Sequence, residues 1–273
     1  MKTTLPDQPM HWDDGREPPQ QPAPPADPWT ALRRHTPARI SLGRAGTSLP
    51  TAEVLRFAAA HASARDAVHT PLDVDALRAE LRTHGLDAAC VASRAATRAD
   101  YLARPDLGRQ LAPHSEAALQ GAPPPRRCIV IGDGLSAVAA QRHAVPLIVA
   151  LLVALDHASD VRLVVATQAR VALGDAIAER LAAPLVLVLL GERPGLSSPD
   201  SLGAYLTWAP QVGRADSERN CVSNIRPEGL APVDAAARIA WLVREARRRR
   251  VTGIELKDDS DVAVLGGAKA IGE

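Results

Sequence analysis

Aromatic residues and cysteines are both scarce in this chain. Aromatic side chains make up 3% of its 273 residues. The three cysteines, Cys90, Cys128 and Cys221, lie far apart and form no Cys-x-x-Cys pair. An odd number of widely spaced cysteines argues against a disulfide framework or a zinc site and favours a reducing compartment. The eight histidines show no His-x-x-x-His spacing, so we expect no metal site.

Long hydrophobic runs and an excess of one charge are also missing. No uninterrupted apolar stretch approaches the roughly 18 residues of a membrane span, and residues 1–28 contain no apolar core of a signal peptide. The net charge is +1, which gives no reason to expect nucleic acid or an acidic membrane surface as a partner. The sequence therefore predicts a cytoplasmic protein that binds neither nucleic acid nor membrane.

Composition and periodicity predict three parts. Residues 1–28 are rich in Pro and Gln and have little to bury, so we expect a disordered arm. Residues 29–122 are predicted to be mostly helical. Residues 123–273 alternate strands and helices, which indicates an α/β domain with a Rossmann-like parallel sheet and helices on both faces. The strands are predicted at 128–131, 161–165 and 185–190, with a possible edge strand at 254–256 and a long helix over 232–249.

The segment Gly191–Gly203 follows the most apolar of these strands. It contains three Gly, two Pro and three Ser in thirteen residues, a density that favours turns over helix or sheet. Glu192 and Arg193 come directly after the strand. Ligands of open α/β sheets bind beyond the carboxyl ends of the strands, so this loop is a candidate site. The alternative is an ordinary strand-to-helix connection.

A glycine turn follows the first strand of the α/β region. Gly132–Ala137 fits Gly-x-Gly-x-x-Ala, a turn that brings backbone close to a pyrophosphate. A nicotinamide enzyme would also need an acid after the second strand, where this chain has Ala166–Gln168. A tight structural turn and a nucleotide-like group other than NAD remain open. No Gly-x-Ser-x-Gly or other catalytic set is present, which suggests a subunit that holds a ligand for another chain.

Six segments together resemble the small (light) subunit of ethanolamine ammonia-lyase. They are Ala38–Pro50, Asp66–Pro71, Asp100–Leu111, Val130–Ser136, Gly191–Tyr205 and Arg219–Ile225. The resemblance implies an adenosylcobalamin enzyme that converts ethanolamine to acetaldehyde and ammonia by radical chemistry. It also implies a large-subunit partner whose β/α barrel holds ethanolamine, while the small subunit supports the cofactor with a Rossmann-like domain. The resemblance also allows a location inside a bacterial microcompartment.

The resemblance carries three cobalamin-contacting positions over to this chain. Val171 would offer apolar or main-chain contact, Glu192 would accept hydrogen bonds from the amides of the corrin rim, and Cys221 would let the ring approach closely. The simpler interpretations are a core valine, an ion pair of Glu192 with Arg193, and a buried structural cysteine. No Asp-x-His-x-x-Gly occurs, so we expect base-on cobalamin with no cobalt ligand from this chain.

Two other functional classes stay open on the sequence. Gly132–Ala137 alone would support an NAD-linked oxidoreductase. The Pro-rich arm and the helical first half would support a non-catalytic interaction module.

Overall fold

The structure is a computed structural model, and it describes residues 27–121, 123–155 and 160–260. The predicted arm lies outside this range except for its last two residues. The chain divides into two compact units, residues 1–53 and 54–273. The three-part division predicted from the sequence, with boundaries after residues 28 and 122, stays a prediction.

The first unit is built on a short 3-10 helix, Pro28–His35. Asp27 caps this helix, because its carboxylate accepts a hydrogen bond from the backbone nitrogen of Trp29 at 2.9 Å. The same carboxylate accepts one from the Ser41 hydroxyl at 2.6 Å. The hydrogen bond from Ser41, and to a smaller extent that from Trp29, lowers the pKa of Asp27. The capping carboxylate is therefore ionised at neutral pH.

Six α-helices and six strands form within the described ranges. The helices are α1 Thr51–His69, α2 Val74–Thr83, α3 Arg98–Ala103, α4 Ala137–Ala154, α5 Leu173–Arg180 and α6 Pro232–Arg249. The strands are β1 Ala88–Ala92, β2 Arg127–Gly132, β3 Val161–Thr167, β4 Leu185–Gly191, β5 Leu202–Trp208 and β6 Asn220–Ile225. Apolar spacing in the sequence also predicts helices over 51–68, 74–81, 135–157 and 174–181. The structure confirms these, the helix over 232–249 and the three predicted strands of the α/β region within one to three residues, apart from residues 156 and 157, which lie outside the described residues.

All six strands form one sheet in the order β1-β3-β2-β4-β5-β6. The pairs from β1 to β4 are parallel, whereas β4–β5 and β5–β6 are antiparallel. The sheet is therefore mixed, whereas the sequence predicted a parallel one. It is parallel from β1 to β4, and β1 lies in residues 29–122, which were predicted to be mostly helical. The chain leaves β2 toward β3 on one side and returns to β4 on the other, so its direction reverses at β2.

Alternate residues of the strands point to two separate cores. Ile129 and Val165 belong to a core shared with α2, α4 and α6. Val130 and Val164 belong to a second core shared with α5. Helices therefore cover both faces of the sheet, and the strands between them have no polar face, which is why they read as continuous apolar runs.

Helix α4 is long and apolar enough to cross a membrane on length and composition alone, and half of it is buried inside the protein. Its buried residues pack against the sheet in the first core. The sequence allows two roles for Pro146, a kink within this helix or the start of a second helix. Pro146 lies inside α4, so the second role is wrong.

One element near the end of the described chain differs from the sequence prediction. Residues 254–256 were expected to add an edge strand, but Gly253–Glu255 forms a 3-10 turn. The Asn220 side chain explains this, because it accepts from the Gly253 nitrogen at 2.9 Å and donates to the Leu256 oxygen at 2.7 Å. These bonds to a side chain replace the ladder bonds of a strand.

The loop after β4 leads into a strand and not into a helix. The segment from residue 192 to 201 is irregular, as predicted, but β5 returns antiparallel beside β4. The strand-to-helix interpretation of this loop was therefore wrong. The turn-forming residues permit a reversal, and the apolar run of β5 completes the sheet because it can be buried against both cores.

Candidate functional site

A pocket of about 470 Å³ opens at the carboxyl edge of the parallel strands. Its walls come from the chain that follows β2, β3 and β4, represented by Leu135, Val171 and Glu192. This is the place where the chain direction reverses, and open α/β sheets bind their ligands at such a switch point. Tyr205 of β5 lies beside this wall. The pocket therefore joins the predicted loop to two further segments that are distant in the sequence.

Glu192 is fixed through one of its two carboxylate oxygens. Its Oε2 accepts a short hydrogen bond from the Ser201 hydroxyl and a second from the Asn224 backbone nitrogen at 3.2 Å. Its Oε1 has no hydrogen-bond partner among the described residues. Gly203 makes room for this side chain, since a Cβ there would stand 2.9 Å from Oε1. Within the described ranges no ion pair joins Glu192 to Arg193, so that simpler interpretation finds no support.

Cys221 lies one strand away from the pocket wall. It pairs with Tyr205 across the β5–β6 ladder, and its residue surface is exposed. Partial burial of the thiol, followed by the nearby Glu192 carboxylate, raises the pKa of Cys221. Burial, then Cys221 and Glu192, raises the pKa of Tyr205 well above its usual value. Tyr205 and Cys221 are therefore neutral at physiological pH, and Glu192 is their nearby anion.

The loop that carries Val171 is held by a buried carboxylate. Asp133, in the glycine turn, accepts hydrogen bonds from the backbone nitrogens of Gln168 and Ala169, both at 2.8 Å. Arg98 lies 3.6 Å from the same carboxylate. Burial raises the pKa of Asp133, although the two backbone donors and Arg98 oppose this rise. Asp133 therefore ties the end of β3 to the end of β2.

Tyr101 supports the same loop from below. Its hydroxyl donates to the Ala169 oxygen at 3.1 Å, and the guanidinium groups of Arg98 and Arg170 lie 4.6 Å and 4.3 Å from the centre of its ring. Cation–π contacts of this kind hold a guanidinium in place. Burial raises the pKa of Tyr101 to about 12. Arg170 lines the pocket, and its buried Nε has no hydrogen-bond partner within the described structure.

The glycine turn is closed by its own neighbours. The Leu135 nitrogen donates to the Gly191 oxygen at 2.9 Å. A Cβ on Gly134, whose φ is +56°, would collide with that same oxygen. The Ser136 hydroxyl caps α4 through the Ala139 nitrogen at 3.3 Å. Gly134 is thus required for close packing of the turn on β4, and two backbone nitrogens of this turn, those of Leu135 and Ala139, are already bonded within the protein.

A buried ion pair braces the far side of the site. Arg219 donates to both oxygens of Asp175, at 2.8 and 2.7 Å, and to the Thr207 hydroxyl at 2.9 Å. Both charged side chains are almost fully buried. The pair links α5 to β5 and to the start of β6, two residues before Cys221. It therefore fixes the strand on which Cys221 stands.

Two of the three residues carried over by resemblance, Val171 and Glu192, line one pocket. The third, Cys221, is joined to it through Tyr205. Reasoning from the sequence missed Tyr205, Arg170, Tyr101 and Asp133. For Asp133 a signal existed, since it stands inside the glycine turn. Nothing in the local sequence of Tyr101 indicates that it lies under a loop 68 residues later.

The chain is similar to known proteins over most of its length. Residues 26–257 match the family model "Ethanolamine ammonia-lyase light chain (EutC)". The chain is 55% identical to the ethanolamine ammonia-lyase small subunit of Bradyrhizobium diazoefficiens, covering 88% of this chain and 94% of that one. It is also 52% identical to the small subunits of the same enzyme from Azotobacter vinelandii and Ralstonia nicotianae. The first match covers 89% of this chain and 92% of the relative, and the second covers 88% and 91%. These matches give no support to an NAD-linked oxidoreductase.

Proposed function

The chain belongs to the ethanolamine ammonia-lyase light-chain family, and we propose that its carboxyl-edge pocket holds one side of adenosylcobalamin for a large subunit. The observation that carries this proposal is that Val171 and Glu192 line one pocket. In this proposal residues 123–273 act as a Rossmann-like cobalamin-binding domain. When bound, adenosylcobalamin supplies the radical for the conversion of ethanolamine to acetaldehyde and ammonia, through cleavage of its cobalt–carbon bond.

The donors and acceptors of the pocket fit a corrinoid. The Oε1 atom of Glu192 has no hydrogen-bond partner among the described residues, so it can accept a hydrogen bond from an amide of the corrin rim. Val171 and Leu135 offer apolar wall for the ring. The Tyr205 ring is flat, the Cys221 side chain is small, and both are neutral. A bulky ring can therefore lie against them without burying a charge of either side chain.

The arginines of the pocket fit the one anionic group of the cofactor. Arg109, Arg170 and Arg193 line the pocket together with only two carboxylates, Glu192 and Asp216. Guanidinium groups bind phosphate in a forked geometry, and cobalamin carries a phosphodiester in its nucleotide loop. We assign Arg170 to this group, because it lines the pocket and its guanidinium is held over the Tyr101 ring.

The cofactor would bind base-on. The sequence lacks the Asp-x-His-x-x-Gly string of proteins that displace the benzimidazole, so this chain supplies no cobalt ligand. The role of the chain is to bind and orient the cofactor, and the acid–base and substrate groups belong to the partner.

The size of the pocket supports the proposal that a second protein covers the cofactor. Its volume of about 470 Å³ falls in the range of about 300–1,000 Å³ that suits drug-sized ligands, whereas a corrinoid is much larger. We therefore assign the substrate site to the β/α barrel of a large subunit. We place the complex in the cytoplasm, with enclosure in a bacterial microcompartment as the alternative that cell fractionation decides.

Reconstitution tests this proposal. The purified full-length chain, a large subunit from a relative's enzyme and adenosylcobalamin are mixed in turn, and acetaldehyde formation from ethanolamine is measured. We expect turnover only with all three components, and visible cobalamin absorbance that co-elutes with the complex. Steady turnover from this chain and cofactor without a second polypeptide would overturn the proposal.

A further inference from the structure

A second pocket, of about 230 Å³, lies at the opposite edge of the sheet. It is formed where β2 and β4 begin and where the antiparallel β5 ends. The six residues of β2 separate it from the carboxyl-edge pocket by roughly 20 Å at about 3.3 Å per residue. A ligand here would therefore touch neither Val171 nor Glu192, and this pocket is independent of the function proposed above.

The rim of this amino-edge pocket is basic. Arg126, Arg127 and Arg247 line it, and no acidic side chain does so among the described residues. Arg126 pairs with Asp160, from Nε to Oδ2 at 3.0 Å. Partial burial, followed by repulsion from Arg247, lowers the pKa of Arg127, and Asp160 opposes this. Three guanidinium groups against one carboxylate leave a local charge of about +2, which an anion would neutralise.

The floor of the pocket is apolar and partly aromatic. Leu185 and Val243 are buried beneath it, and the half-buried Trp208 forms one side. An indole face next to arginines is suited to stack a flat ring. A solvated arginine surface would not need such a concave apolar floor.

We propose that this pocket binds a phosphate monoester of a flat ring compound. A phosphate monoester carries a charge of about −1.5 to −2 at pH 7, which matches the excess of positive charge. Its oxygens suit the forked donors of Arg127 and Arg247, and its ring suits Trp208. The pocket volume limits the ligand to one ring with its phosphate.

Phenyl phosphate is the probe, titrated calorimetrically into the full-length chain. We expect saturable binding that is at least about fivefold tighter than binding of inorganic phosphate, which lacks the ring, and of benzoate, which carries one charge. Arg127→Gln and Arg247→Gln should each weaken binding about five- to tenfold, since each removes charge-assisted hydrogen bonds at a partly exposed site.

Two control variants locate the binding. Arg248→Gln makes the same charge change in the same turn of α6, at a side chain that pairs with Glu245 and does not line the pocket, and it should leave the affinity unchanged. Arg109→Gln alters the other pocket and should also have no effect. The proposal is overturned by no binding at 10 mM probe, by equal affinity for phosphate or benzoate, or by unchanged binding in both Arg127→Gln and Arg247→Gln. Loss of binding in Arg248→Gln or Arg109→Gln would equally reject it.

Discussion

At the scale of single residues, Glu192 is held by Ser201 and Asn224 through Oε2, and in the proposed function it also accepts a hydrogen bond from the cofactor; substitutions can separate these two roles. Glu192→Ala should weaken cobalamin binding by the reconstituted complex about tenfold to a hundredfold, because a hydrogen bond to a charged group contributes about 1.5–3 kcal/mol. Glu192→Gln should lose less, because its amide oxygen still accepts. Spectroscopic titration with the cofactor measures both affinities.

Ser201→Ala is the matched control for this pair. It removes the hydroxyl that donates to Oε2 and leaves the carboxylate in place, so it should weaken cofactor binding less than Glu192→Ala does. Equal losses in the two variants would mean that Glu192 acts only by holding its loop, and parental affinity in both glutamate variants would remove it from the binding site.

The raised pKa of Tyr101 predicts that the folded chain becomes less stable at alkaline pH. Burial raises its pKa to about 12 in the folded chain, against about 10 when unfolded. Below pH 10 the Tyr101 hydroxyl is protonated in both the folded and the unfolded state, so its contribution to the free energy of unfolding is fully present. Between about pH 10 and 12 only the unfolded state ionises, so the free energy of unfolding should fall by about 2–3 kcal/mol as pH rises.

Urea unfolding of the parent and of Tyr101→Phe from pH 8.5 to 11.5 measures this. Tyr101→Phe should be less stable at pH 8.5 by about 1 kcal/mol, the hydrogen bond to Ala169, and should lose less stability above pH 10. Cys128, whose pKa burial also raises to about 12, titrates in both proteins and cancels. Parallel pH curves would show that Tyr101 does not carry the effect.

At the scale of elements, the turn between β2 and α4 depends on its close fit against β4. Gly134→Ala should lower the free energy of unfolding by about 2–5 kcal/mol, because it adds about 1–2 kcal/mol for a left-handed backbone to about 1–3 kcal/mol for overpacking. Cobalamin binding should weaken too, because Asp133 and Leu135 move with the turn.

Gly85→Ala is the control for this substitution. Gly85 has φ +71° but nothing within 4 Å of an added Cβ, so this variant should lose only the backbone part. Urea denaturation of both variants gives the difference. If Gly134→Ala is no less stable than Gly85→Ala, the turn can accommodate an added Cβ, and the close contact with Gly191 does not limit it.

At the scale of the whole molecule, the first 25 residues should be dispensable for turnover. They are rich in proline and glutamine, offer little apolar surface to bury, and lie before residue 26, where the family match begins. Deleting them should leave kcat and the cofactor affinity of the reconstituted complex within about twofold. A loss of turnover greater than tenfold would show that the segment belongs to the working structure.

The sequence by itself determined the main helices, the three parallel strands β2, β3 and β4 and the loop that carries Glu192. Apolar periodicity and turn residues are local signals, and β2, β3 and β4 are apolar enough to be recognised without their neighbours. The resemblance, carried by long segments, identified the family and the three candidate site residues. No local pattern predicted β6, because only Val222 and Ile225 of that strand are buried and its partner β5 supplies the reason for it to be extended.

Only the tertiary structure decided how the site is assembled. Asp133 reaches Ala169 across 36 positions, Tyr101 reaches the same residue across 68, and Arg219 reaches Asp175 across 44. Such pairings depend on strand order and on which face of the sheet each element covers, and no single segment encodes either. The same reason hid the amino-edge pocket. Its arginines come from β2, from the residue before it and from α6, and they meet only because the sheet brings those elements together.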